Sequence, residues 1–173
     1  MKKNLLITGL PGVGKTTLIK KILEELRQFH PIGFYTAEIR ERGQRLGFEL
    51  ISLDGRKSLL SHVDMESPHR VGKYKVNIQG FESFLDSIPF SNPESRLIVI
   101  DEIGKMECLS ERFQRLLIEV LDSEKWVVAT IALKGTGLIE EVKQREDVKI
   151  FEISERNRDD LVGEILKKVA ISL

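Results

Sequence analysis

Residues 9–16 read Gly9-Leu10-Pro11-Gly12-Val13-Gly14-Lys15-Thr16, which fills every fixed position of G-x-x-x-x-G-K-[ST], the Walker A phosphate-binding loop. No other stretch restricts the fold as much, because this loop works only where a strand runs into a helix N-terminus. Both flanks comply. Residues 4–8 have the composition of a short buried strand, and Leu18, Ile19, Ile22, Leu23 and Leu26 recur at helical spacing. The chain is therefore expected to be α/β from its first elements onward.

A triphosphate needs many donors aimed at clustered oxygens and a backbone that can come close to them. Gly9, Gly12 and Gly14 can take angles that a side chain forbids, which turns successive N–H groups inward. The free N–H groups and positive end of the next helix add to that attraction. Lys15 is the expected point charge on the β- and γ-phosphates, and the Thr16 hydroxyl an expected Mg²⁺ ligand.

The second informative stretch is Arg96-Leu97-Ile98-Val99-Ile100-Asp101-Glu102, an apolar strand expected to end in two carboxylates, as a Walker B strand does. Asp101 is the expected partner of Thr16 at Mg²⁺. Glu102 is placed to take a proton from a water aligned on the terminal phosphate. Lys15 and Asp101 are separated by at least one strand and one helix, an insertion typical of RecA-like ATPases and not of small GTPases.

Between the two motifs, residues 34–39 and 47–53 read as strands around a turn at Gly43, close enough to pair as an antiparallel hairpin. Glu38, Arg40, Glu41, Arg42 and Arg45 crowd its tip, either as a solvated face or as a source of an arginine for phosphate. Residues 56–70 lack a clear period and read as a loop. Within it, His62 and His69 are too poorly supported to make a metal site. Residues 72–78 resemble a strand, and Phe81, Phe84, Leu85 and Ile88 follow helical spacing as core. Further on, Phe113, Leu116, Leu117, Val120 and Leu121 mark a helix and residues 127–131 a strand. Thr130 in that strand is either a γ-phosphate sensor or an ordinary β-branched residue. A short helix around Leu138, Ile139 and Val142 precedes a last parallel strand at 148–153 and a terminal helix from 157, with Leu161, Ile165 and Val169 on its apolar face. Asn157 is a candidate cap for that helix, and Arg156 and Arg158 are candidate contacts to base or phosphate.

Composition narrows the partners. The 173 residues suit one domain, 1–173, and the 27 basic and 27 acidic side chains cancel, which argues against a general nucleic-acid or membrane-surface binder. Cys108 stands alone, so no internal disulfide or cysteine-rich metal site is expected. No signal peptide or spanning segment is visible, and a cytoplasmic monomer is the expectation.

The Walker A loop, the run 33–40, the run 70–76, the block Asp101-Glu102-Ile103-Gly104-Lys105-Met106-Glu107 and Asn157-Arg158-Asp159 together resemble the nucleoside-triphosphatase family known from thermophiles, whose animal member is a cancer-related nucleoside-triphosphatase. The resemblance spans nearly the whole chain. It implies a three-layer, RecA-like P-loop NTPase fold with a mostly parallel sheet and an antiparallel hairpin addition. It implies slow, Mg²⁺-dependent hydrolysis of ATP, GTP, CTP, UTP and TTP to diphosphate and phosphate, with broad base choice. Nucleotide contacts are expected from Gly9, Leu10, Pro11, Gly12, Val13, Gly14, Lys15, Thr16 and Thr17, and along Ile98, Val99, Ile100, Asp101, Glu102, Ile103, Gly104 and Lys105. Thr16 and Asp101 are the expected metal ligands. Lys15 and Glu102 are the expected catalytic pair, with Arg158 or Lys105 as cationic help. Three other readings share the loop. A small-molecule or nucleotide kinase does, although no arginine-rich lid is visible; a GTPase switch fits Asp101-x-x-Gly104 but lacks the guanine-reading motif; and a nucleotide-gated binding module acts through a partner.

Overall fold

The computed structural model describes residues 2–170, with the backbone alone described at 170. The first strand, β1 (Asn4–Thr8), is wholly buried and passes through the glycine loop into α1 (Lys15–Glu25). A long hairpin follows, β2 (Ile32–Glu41) and β3 (Gln44–Ser52), then β4 (Lys57–His62), β5 (Arg70–Val71) and β6 (Tyr74–Val76). The chain continues through α2 (Ile78–Asp86), β7 (Leu97–Ile103), α3 (Glu111–Asp122), β8 (Trp126–Ile131), α4 (Leu138–Lys143), β9 (Val148–Glu152) and α5 (Arg158–Ala170).

Among the described residues these strands form one nine-stranded sheet in the order β5-β6-β4-β3-β2-β7-β8-β1-β9. From β2 to β9 all neighbours are parallel, and from β2 to β5 all are antiparallel. Strand β8 lies between the two motif strands β1 and β7, so the inserted-strand order expected of a RecA-like sheet is present.

The parallel strands read as continuous apolar runs because helices cover both faces. Leu5 and Ile7, Leu97 and Val99, and Trp126 and Val128 pack with α1 and α5, whereas Leu6, Ile98, Ile100, Val127, Ala129 and Ile131 pack with α2, α3 and α4. Alternate residues of one strand thus serve two cores, which makes three layers.

Four expectations need correction. The stretch 56–70 is not all loop: its first part is strand β4, paired antiparallel with β3, where Leu60 is buried. The strand expected over 72–78 is a small hairpin, β5 and β6, turning at Gly72 (φ 58°), and Asn77 closes it by accepting the Gly80 N–H as the cap of α2. Asp101 and Glu102 do not end their strand. Strand β7 runs on to Ile103, but its pairing with β8 slips between Ile100 and Ile103, so the acidic pair sits at an irregularity. Asn157 does not cap α5 with its side chain; it accepts the Ser154 N–H and donates to the Glu152 carbonyl, pinning the turn that leaves β9.

Candidate active site

The loop is shaped by where glycine is needed. Gly14 caps α1 at φ 111° and Gly12 lies at φ 77°, both in the left-handed region that side chains disfavour. Gly9 is required for space instead, since a Cβ there would lie 2.7 Å from the Ile153 carbonyl oxygen. Lys15 Nζ folds back to donate to the carbonyls of Gly9 (3.0 Å) and Leu10 (3.1 Å). The ammonium is thereby stored over the mouth of its own loop.

Across from it, Thr16 Oγ1 donates to Asp101 Oδ2 at 2.7 Å, and Thr130 Oγ1 donates to Asp101 Oδ1 at 2.6 Å. The Thr36 N–H also reaches this carboxylate. Strands β2 and β8 and helix α1 therefore each place one group on Asp101, which β7 carries. Burial pushes its carboxyl above the usual range, and the Thr130 and Thr16 hydroxyls, the Thr36 amide and Lys15 oppose that rise. Thr130 is more than an ordinary strand residue here, because its hydroxyl donates to Asp101.

Glu102 faces a cleft of about 880 Å³, whose walls include the loop residues Gly9, Leu10, Pro11, Gly12, Gly14, Lys15, Thr16 and Thr17. Burial raises the Glu102 carboxyl, the Asp101 charge raises it further, and Lys15 lowers it. The far wall comes from the hairpin and from residues beyond the strand ends, among them Arg45, Phe48, Leu60, Met106 and Ala132. Arg45 is the hairpin arginine that reaches this cleft, and it is already engaged: it donates to Glu38 Oε1 (2.7 Å) and to the Tyr74 hydroxyl (2.9 Å).

The other expected site residues lie elsewhere. Ile98, Val99, Ile100 and Ile103 are core side chains at 0–1 % exposure, so they hold the acidic pair from behind instead of lining the cleft. Val13 packs partly buried against the α1–α5 core. Lys105 is exposed, and Gly104 is buried beneath Glu102. Arg158 lines a second, smaller pocket of about 190 Å³ with Gly14, Thr17, Leu18, Lys21 and Asp159. The geometry thus gathers Lys15, Thr16, Asp101 and Glu102 and leaves Arg158 outside the lining of their cleft.

Sequence reasoning did not single out Glu107 as a residue of the cleft. It is buried at 5 % exposure, lies in the single helical turn after β7, and lines the same cleft. Its carboxyl is raised well above the ordinary range, first by burial and then by the Glu102 charge. The one available signal was its inclusion in the acidic block after Ile100.

Comparison with known proteins agrees with this architecture. A family model described as NTPase matches residues 4–166. The chain is 50 % identical over 163 residues to the nucleoside-triphosphatase THEP1 of Thermotoga sp. (strain RQ2), covering 94 % of this chain and 92 % of that one. The crystal structure of THEP1 from the hyperthermophile Aquifex aeolicus superposes with a TM-score of 0.82 at 36 % identity, over 95 % of this chain and 97 % of that one. The solution structure of a human cancer-related nucleoside triphosphatase gives 0.84 at 38 % identity, over 98 % of both. The fold is that of the P-loop NTPases.

Proposed function

Because this chain belongs to the NTPase family and is a nucleoside-triphosphatase, we propose that it hydrolyses ATP, GTP, CTP, UTP and TTP to the diphosphate and phosphate, with Mg²⁺, loose base choice and slow turnover. The observation that carries this reading is the 2.7 Å hydrogen bond from Thr16 to Asp101, which brings the loop and the acidic pair to one cleft.

The donor set suits Mg²⁺. A hydroxyl and one carboxylate beside a phosphate loop are hard oxygen ligands, and Mg²⁺ is bound by one or two such groups plus substrate phosphates more often than by an all-protein cage. Among the described residues no cluster of three or more His, Cys, Asp or Glu forms such a cage. Thr16 and Asp101 would hold the ion, with Thr130 and the Thr36 amide fixing Asp101 from behind. When bound, Mg²⁺ supplies neutralising charge to the phosphate oxygens.

The chain's own residues do the rest. Loop amides and Lys15, once released from the Gly9 and Leu10 carbonyls, bind the polyphosphate and stabilise charge that grows on it. Glu102 accepts a proton from the attacking water; a carboxylate raised by burial is better matched to that task than an ordinary one. The smaller pocket beside Gly14, Thr17 and Arg158 suits the nucleoside end. Slow turnover follows from the cations, since Arg45 is tied to Glu38 and Tyr74, and an arginine finger in place is worth about 10³–10⁵ in rate.

The test is phosphate release from the five nucleotides, with and without Mg²⁺, by the parent and Glu102→Gln proteins. A fall of about 10²–10⁴ in kcat for Glu102→Gln is expected, with nucleotide binding retained; an unchanged kcat removes Glu102 as the base. One observation favours a second reading, phosphoryl transfer to a small molecule. The cleft has the size of a full ligand site and an apolar far wall at Phe48, Leu60 and Met106. A phosphoester product in the presence of hydroxylated acceptors would establish it.

A further inference from the structure

We propose that Glu107 is a positioning residue for Glu102: its buried carboxyl, gathered with that of Glu102 over Gly104, holds the Glu102 carboxylate aimed at the attacking water. The inference rests on the hydrolytic reading above. Its basis is a close approach. A Cβ added at Gly104 would lie 2.7 Å from Glu102 Oε1 and equally 2.7 Å from Glu107 Oε2, so both carboxyl groups fold onto the one residue that leaves them room. Gly104 does not lie among the positive-φ glycines, and its backbone would admit any residue. What it supplies is the space in which two acids converge.

Glu107 is costly to bury without such a role. Its side chain accepts the N–H groups of Gly104 and of Glu107 itself, and among the described residues no lysine or arginine forms an ion pair with it. The charged and titratable groups around it are Glu102 and Asp101 from β7 and the neighbouring Cys108, none of them a cation. A carboxyl in that setting is cheaper to replace by an apolar side chain than to keep. The same setting favours its neutral form, and a neutral carboxylic acid donates one hydrogen bond. In the proposed arrangement that O–H turns to a Glu102 oxygen, which leaves the other oxygen for water. Such restraint matters because a displacement of 1 Å in a reacting group can cost about 10²-fold in rate.

The experiment compares Glu107→Met and Glu107→Gln, both close to glutamate in size, by steady-state release of phosphate from MgATP, with nucleotide affinity measured separately by fluorescent-analogue titration. Glutamine keeps a neutral hydrogen-bond donor where methionine keeps only volume. E107M is expected to lose about 10–100-fold in kcat, the usual range for groups that orient a functional side chain at one remove, with affinity changed less than two-fold. E107Q is expected to recover most of that loss. A kcat for E107M within two-fold of the parent overturns the proposal, and so does an E107Q protein as impaired as E107M. Gly104→Ala supplies the second arm, and if E107M does not fold, Glu107→Leu takes its place in both arms. It should lower kcat in the parent but add little in an E107M background, because both changes release the same carboxylate; full additivity, or a parent-like kcat for G104A, contradicts the inference. If E102Q itself retains kcat, the hydrolytic reading fails first, an outcome distinct from failure of E107M alone.

Discussion

Asp101 and Glu107 are buried and Glu102 half-buried around one cleft, and each is held above its ordinary range chiefly by burial. A raised carboxyl keeps its proton in the folded state where the unfolded chain has released it, so the native state binds more protons and stability falls as pH rises. For Glu107 the loss begins near its ordinary 4.5 and continues until the folded group ionises, with a slope of up to about 1.4 kcal/mol per pH unit for one proton. Glu107→Gln should therefore lose less stability than the parent between pH 5 and pH 8 in urea denaturation of nucleotide-free protein; equal losses contradict the assignment. Thr130 permits a sharper test of geometry. Thr130→Val keeps the shape but removes the hydroxyl from Asp101, leaving a buried acceptor short of a partner at about 1–3 kcal/mol. Mg²⁺-dependent activity should fall about ten-fold or more, read as the Mg²⁺ concentration giving half-maximal phosphate release. The sequence made Asp101 and Glu102 legible because a charged pair after four apolar residues has few structural explanations. Glu107 and Thr130 carry no such mark, since their partners are brought to them by sheet register and a turn.

At the scale of elements, the cleft depends on one junction. Strand β2 pairs with β7 on one edge and β3 on the other, so it joins the parallel half that holds the phosphate loop to the antiparallel half that forms the far wall. Gly33 sits at that junction with φ 131°, and a Cβ there would lie 1.8 Å from the Val99 carbonyl oxygen. Both the angle and the approach require glycine. Gly33→Ala should cost about 3 kcal/mol or more, seen as a fall in Tm of about 6–12 °C for a chain of this length; a fall under 2 °C would mean that the two halves are not locked there. The hairpin itself was legible from its strand-like composition and the turn at Gly43. Strand β4 was not, because Lys57-Ser58-Leu59-Leu60-Ser61-His62 has no period-2 alternation, and its pairing with β3 shifts between Phe48 and Glu49. An irregular ladder leaves no regular pattern to read.

For the molecule as a whole, the separation of the two motif strands was inferable from the long interval between the motifs, whereas the cleft was not, because its walls come from segments distant in the chain. Those walls meet through a few polar links, and the link from Thr16 to Asp101 is the one that Mg²⁺ at the proposed site would remodel. A ligand that binds only the native state stabilises it by mass action, about 2.7 kcal/mol at a hundred-fold excess over Kd, which for a protein of this size raises Tm by about 5–10 °C. Nucleotide with Mg²⁺ should produce that shift in the parent and in Glu102→Gln, since in the proposed mechanism Glu102 acts on water and holds neither phosphate nor metal. Lys15→Ala should abolish it and reduce kcat/KM by about 10²-fold or more, because the loop then lacks its charge. Thr16→Val should keep the part of the shift seen with nucleotide alone and lose the part that depends on Mg²⁺. Melting curves for the four proteins with nucleotide, Mg²⁺ and both together separate these roles. A Mg²⁺-dependent shift that survives in Thr16→Val would place the metal away from the Thr16–Asp101 pair and end the present account of the site.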